Sequence, residues 1–261
     1  MSCTVRLGLV LMLAVTMFPR ALPASTLTIL SPDLPSQSEP GGKGRDSEIV
    51  ATVLEHCGYY ANFRVVPFGR HIRSFTDYDS ADAVTTVPAD RDVAGYPSKP
   101  YIWYQNGASV LQSSRVKPYT LAGLADLRVV AFANAREILG LEDIIGTLDE
   151  YQELSNQRLH SSMLYFGRVD VVLSDGLIFS EINKRMARDP QFRARVDMTE
   201  PLLFTPLFDP EPFRLVFRDR KVRDAFNQCF SDLEGRGLIR AINVRHVDRH
   251  RDVVGHGYLG Y

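Results

Sequence analysis

Three histidines near the end of the chain, His246, His250 and His256, alternate with Asp248 and Asp252, a donor set that suits zinc or nickel. Histidines at i and i+4 share one helical face. The same run has little apolar periodicity, which favours a polar, partly disordered terminus over a metal site. Residues 255–260 match G-x-G-x-x-G, but no helix is expected to follow, so the nucleotide-binding condition fails. No G-x-S-x-G, C-x-x-C, H-E-x-x-H or phosphate-binding P-loop occurs. No cofactor and no metal is expected.

Helical spacing places Cys57 on the stripe Ile49, Val50, Val53 and Leu54, and Cys229 on the stripe Val222, Phe226, Phe230 and Leu233. If those helices pack together a disulfide is feasible, and disulfide reach is expected. Two separate buried thiols are the other reading.

The elements that must position such groups alternate between strand and helix. Strand patterns cover 26–31, 62–67, 81–87, 128–132, 169–174 and 213–217. Helical patterns cover 46–57, 68–75, 155–166, 177–187 and 220–234, with short helical starts near 120 and 134. A long aromatic and β-branched segment at 101–111 reads as a strand leaving one domain. Residues 201–212 are Pro-rich and apolar. Alternating strands and helices imply an α/β fold with largely parallel sheets.

The chain has 261 residues, 45% hydrophobic and 23% charged, with a formal charge of -1. That is ordinary globular composition, without the basic field that collects nucleic acid. The apolar run 7–18 is too short to cross a bilayer as a helix. Arg6 precedes it and Ala-Leu-Pro-Ala-Ser follows at 21–25, so 1–24 reads as a secretory signal peptide. Cys3 lies ahead of the apolar run, where it cannot serve as a lipoprotein's acylated cysteine. A soluble periplasmic product is expected.

The order of several fragments resembles the periplasmic solute-binding proteins of family 3, receptors that bring amino acids and similar polar solutes to ABC importers. The fragments are TLTILSPDLP, DSEIVATVLEHCGY, ADAVTTVPADRD followed by YPSKPY, LADLRVVAF, GRVDVVLSD and VRDAFNQCFSDLEGRGLIRAI. The resemblance implies a type II periplasmic-binding-protein fold, two α/β lobes joined by a two-crossing hinge. One lobe spans 25–105, the second 106–205, and 206–261 returns to the first.

The resemblance also implies site residues. Arg91 in PADRD takes the place of the arginine that grips an amino acid's carboxylate with its planar fork. Thr85 and Thr86 end the strand before it, where only one of the two need face the ligand. Asp175 stands where the family binds an α-ammonium group, though its position equally suits a helix N-cap. After residues 128–132 this chain has Ala133-Asn134-Ala135 where amino-acid-binding relatives place Gly-Ser/Thr-Thr, so Asn134 alone is left to complete the cradle. Arg70 and the hinge set Trp103, Tyr104, Gln105 and Asn106 suit a polar organic solute. The implied partners are a small polar solute and an inner-membrane permease, with no nucleic acid and a monomeric state. A sensor for a membrane partner, or a dehydratase-like enzyme using Glu211 and Asp175, are the alternatives on the same fold.

Overall fold

A computed structural model describes residues 25–261, and the expected signal at 1–24 lies outside the described residues. The chain begins with β1 (Ser25–Asp33), α1 (Arg45–His56), β2 (Tyr59–Pro67), α2 (Arg70–Asp77), β3 (Ala83–Pro88), β4 (Tyr96–Pro97) and β5 (Ile102–Tyr104). It continues through β6 (Asn106–Leu111), β7 (Arg128–Phe132), α3 (Ala135–Ile138), α4 (Glu142–Ile145), β8 (Glu150–Leu154), α5 (Arg158–Tyr165) and β9 (Val171–Asp175). Next come α6 (Gly176–Met186), α7 (Pro190–Arg193), β10 (Leu202–Pro206), β11 (Glu211–Phe217), α8 (Arg220–Gly235), α9 (Leu238–Asp248) and α10 (Arg251–Val254).

Two sheets result. The first runs β2-β1-β3-β11-β4, with β5 also paired to β11, and the second runs β10-β6-β9-β7-β8. Parallel pairs β1·β2, β1·β3, β7·β8 and β7·β9 form their centres, as the β–α alternation requires. Each sheet is covered on both faces, which is why β3 and β9 are buried along nearly their whole length.

Local sequence explains α1. Ile49, Val50, Val53 and Leu54 are fully buried on one stripe, each worth about 1.5–3 kcal/mol of burial, and Asp46 and Glu48 favour the positive end of the helix dipole. Gly44 has φ 101°, and a Cβ there would strike the carbonyl of Gln37. Cys57 and Cys229 form a disulfide with Cα atoms 6.0 Å apart, tying the end of α1 to α8.

Two features differ from expectation. The 101–111 segment is not one strand. The Gln105 amide is diverted to Asp175 Oδ2 (3.0 Å) and its carbonyl accepts from Gly176 (3.3 Å), so β5 joins the first sheet and β6 the second. Gln105 Nε2 also donates to the carbonyl of Phe208 on the other crossing, linking the two hinge segments.

The C-terminus is not a polar, disordered tail, nor does all of 206–261 stay with the first lobe. α9 packs on α1 and α8, whereas α10 lies against β10 and α6 of the second lobe. Val247, Val254 and Tyr258 are buried with Leu177 and Phe204. The charges of this run hid the buried face. His246 on that face bonds Glu48 (2.8 Å), and His250 meets the Ser180 hydroxyl (3.0 Å). Among the described residues no group of three His, Cys, Asp or Glu is arranged to hold a metal.

Candidate functional site

The two lobes face each other across a narrow cleft with a free volume of about 80 Å³, well below the roughly 300–1,000 Å³ of pockets that take drug-sized ligands. Its first wall is set by Asp46. This fully buried carboxylate accepts from Thr86 Oγ1 (2.6 Å), Tyr101 (2.6 Å) and Tyr104 (3.3 Å). Burial pushes its pKa up, and the hydroxyl hydrogen bonds oppose that.

The network holds Thr86 at φ 54°, a costly conformation for a β-branched residue. The kink turns Thr86 to the cleft, while Thr85 points away, its hydroxyl bonded to Ser31 (3.2 Å). Arg45 stands next to Asp46, also fully buried. Its guanidinium donates to Gln37 (2.9 Å) and the Trp103 carbonyl (2.7 Å), and lies 5.4 Å from the Tyr104 ring centroid and 5.8 Å from that of Tyr258. It therefore braces hinge and tail and is not available to a ligand.

Arg91 follows the turn after β3 and lines the cleft. Its carbonyl accepts from Arg214 (2.9 Å), but among the described residues its guanidinium has no hydrogen-bond or ion-pair partner. Glu211 lines the cleft from the start of β11, opposite Tyr104 in register. Burial, with help from Asp90, raises its pKa to about 7. His71 comes from α2 and is held near 4, chiefly by burial.

The second wall is different. Asp175 lines the cleft and is the N-cap of α6. Oδ1 accepts from the amides of Leu177 (3.0 Å) and Ile178 (3.1 Å), and Oδ2 from the Gln105 amide (3.0 Å) and the Tyr258 hydroxyl (2.6 Å). Four donors fill a carboxylate's ordinary capacity. The turn at Asn134, φ 65°, is likewise occupied: the amides of Asn134 (2.8 Å) and Arg136 (2.7 Å) both donate to Glu153. Apolar faces of Phe132, Ile138 and Ile178 make up much of the remainder.

Of the residues expected from sequence, Arg91, Thr86, Tyr104, Asn106, Asn134 and Asp175 meet at the cleft, whereas Thr85, Arg70, Trp103 and Gln105 do not line it. Arg70 is exposed at the start of α2. Sequence reasoning missed His71, Gln157, Asp46 and Tyr258. A signal existed for Asp46, which shares the buried stripe of Val50 and Val53 at i+4 and i+7, so its carboxylate had to find donors.

No protein-family model matches this chain, and no curated protein matches it in sequence. Solved structures do match in shape. An ancestral arginine-binding protein bound to arginine superposes with a TM-score of 0.65 at 16% identity, over 86% of this chain and 99% of its own. The probable amino-acid ABC transporter extracellular-binding protein of Bacillus subtilis gives 0.68 at 16%, over 85% and 98%. A histidine kinase sensor domain with similarity to periplasmic binding proteins gives 0.67 at 14%, over 85% and 96%. The fold is that of the periplasmic binding proteins. Among the described residues no helix is long and apolar enough to cross a membrane.

Proposed function

We propose that the protein is a periplasmic solute receptor that captures a small polar solute, an amino acid or related carboxylate, between its lobes for delivery to an ABC importer. The observation that carries this reading is Arg91, an exposed guanidinium that lines a narrow interlobe cleft and has no side-chain partner among the described residues. A guanidinium fork makes two parallel hydrogen bonds to a carboxylate. Thr86, Tyr104, Asn106 and Asn134 supply polar groups around it, and Phe68 and Phe132 supply flat apolar faces. Asp175 contributes its field to a cationic end at longer range, its lone pairs being engaged. Arg91 and Asp175 stand on opposite lobes, so a solute contacting both walls favours the closed state and couples binding to closure. The export pattern at 1–24 and the amino-acid-binding neighbours support the same reading.

A thermal-shift screen of amino acids, polyamines and organic acids on the mature protein tests it. A ligand at 100 times its Kd is expected to add about 2.7 kcal/mol of stability. No shift with any compound overturns the reading. Similarity to a histidine kinase sensor domain favours a second reading, a soluble sensor. In that case deletion of the gene abolishes a response to the solute and leaves its uptake intact. Glu211, with its pKa near 7, suits a general acid. Ligand recovered unchanged after long incubation is expected of the receptor, and turnover of the enzyme.

A further inference from the structure

His71 is only 2% exposed, and its Nε2 lies 3.3 Å from the Thr86 carbonyl. A carbonyl only accepts, so Nε2 carries the proton and Nδ1 is left as a lone-pair acceptor. Burial keeps the ring neutral, and the charge of Arg91 works in the same direction. Among the described residues nothing donates to Nδ1. From the other lobe, at the start of α5, Gln157 presents Oε1, which is buried and equally without a partner. Both residues line the cleft that Arg91 lines. Buried acceptors without donors are uncommon and costly, and two in one small cavity call for a ligand group to fill them.

We propose that His71 Nδ1 and Gln157 Oε1 form a donor-recognising subsite, which selects monocarboxylates carrying an N–H or O–H group away from the carboxylate. This rests on the receptor reading: Arg91 takes the carboxylate, and the His71–Gln157 pair takes the donor end. The two acceptors come from opposite lobes, so a donor group that reaches both is bridged only when the cleft is closed, which favours closure on the right solute. A second carboxylate meets two lone pairs and is rejected. A purely apolar tail leaves both acceptors unpaired, the arrangement by which polar sites discriminate against analogues lacking the polar group.

Isothermal titration calorimetry with two matched pairs tests the subsite: 4-aminobutyrate against butyrate, and succinamate against succinate. The donor-bearing member of each pair is expected to bind at least tenfold tighter. His71→Leu and Gln157→Leu each reduce that ratio to below threefold, weakening the donor-bearing member and relieving the penalty on butyrate, and His71→Asn, which keeps an acceptor, retains most of it. Gln157 lies at a partly exposed helix start, so its variant reports even if His71→Leu does not fold. Equal or tighter binding of succinate, or an unchanged ratio in both leucine variants, overturns the subsite. So does failure of both donor-bearing probes to bind a protein that binds another solute of the screen. In each of these cases the receptor reading stands. Absence of any ligand for the wild-type protein removes the receptor reading and the subsite together.

Discussion

The two walls of the cleft differ in what their polar groups already touch. Among the described residues, on the first wall the Arg91 guanidinium has no partner and His71 Nδ1 has no donor, and Glu211 is half-buried with the like charge of Asp90 acting on it. On the second wall Asp175 is filled by four donors, the amides at Asn134 and Arg136 are held by Glu153, and among the described residues the buried Gln157 Oε1 has no donor. The first wall therefore holds most of the groups that choose a ligand, while the second adds Gln157 and closes over it with Phe132, Ile138 and Ile178. Unpaired polar groups cost stability. The first lobe is stapled by Cys57–Cys229, and the second is held by the tail through Tyr258.

The largest expected effect comes from acid. His71 on the first wall, His160 within the second lobe and His250 under the tail each have a pKa near 4, chiefly through burial, against an ordinary 6.5. Between pH 6.5 and 4 the unfolded chain binds protons that the folded chain does not, so stability falls with pH, by at most about 3 kcal/mol per histidine. Glu211 acts oppositely. Its folded pKa of about 7 lies above the unfolded 4.5, so its contribution is greatest at low pH and is lost as pH rises through 7. His246, also lowered by burial, adds to the three histidines, whereas Asp46 and Asp175, raised by burial, act with Glu211. A net loss of stability on acidification is the expected balance, read from urea midpoints at pH 4, 6.5 and 8. Glu211→Gln is expected to remove the decline between pH 6.5 and 8. A flat profile would show that these imidazoles are not buried neutral.

Next comes the staple. Cys57→Ala with Cys229→Ala opens a link across 172 residues, which the chain-entropy model values at about 5 kcal/mol. Equilibrium unfolding of the oxidised parent and the double variant measures it. A difference below about 1 kcal/mol would place the first lobe's stability elsewhere.

Arg91→Ala is expected to weaken solute binding at least 100-fold, about 2.7 kcal/mol, whereas Tyr258→Phe is expected to change affinity less than threefold. The tyrosine variant instead lowers stability by about 1–3 kcal/mol, because Asp175 Oδ2 keeps one donor fewer. Calorimetry and thermal unfolding of both variants separate the walls. Equal affinity losses would erase the distinction between them.

Much of the fold was legible because buried parallel strands read plainly: residues 128–132 were bounded as observed, and β1, β3 and β9 were displaced by a residue or two. β8 was not read, since Glu150 is exposed and Tyr151, Gln152 and Glu153 sit half-exposed at a sheet edge, leaving no apolar run. β10 was hidden among prolines. At the site, Arg91 and Thr86 were visible through their position after β3. The engagement of Asp175 was not, because its partner Tyr258 lies 83 residues away on a segment whose charges masked its buried face. His71 stayed hidden because nothing local marks a histidine whose second nitrogen lacks a donor.

A crystal structure of the protein with the strongest solute from the screen tests the central claim most directly. The account predicts the solute's carboxylate paired with both outer nitrogens of Arg91, and the Tyr258–Asp175 hydrogen bond intact beside it. A solute bound outside the cleft, or one whose ammonium has displaced Tyr258 from Asp175 while its carboxylate makes no contact with Arg91, would contradict it.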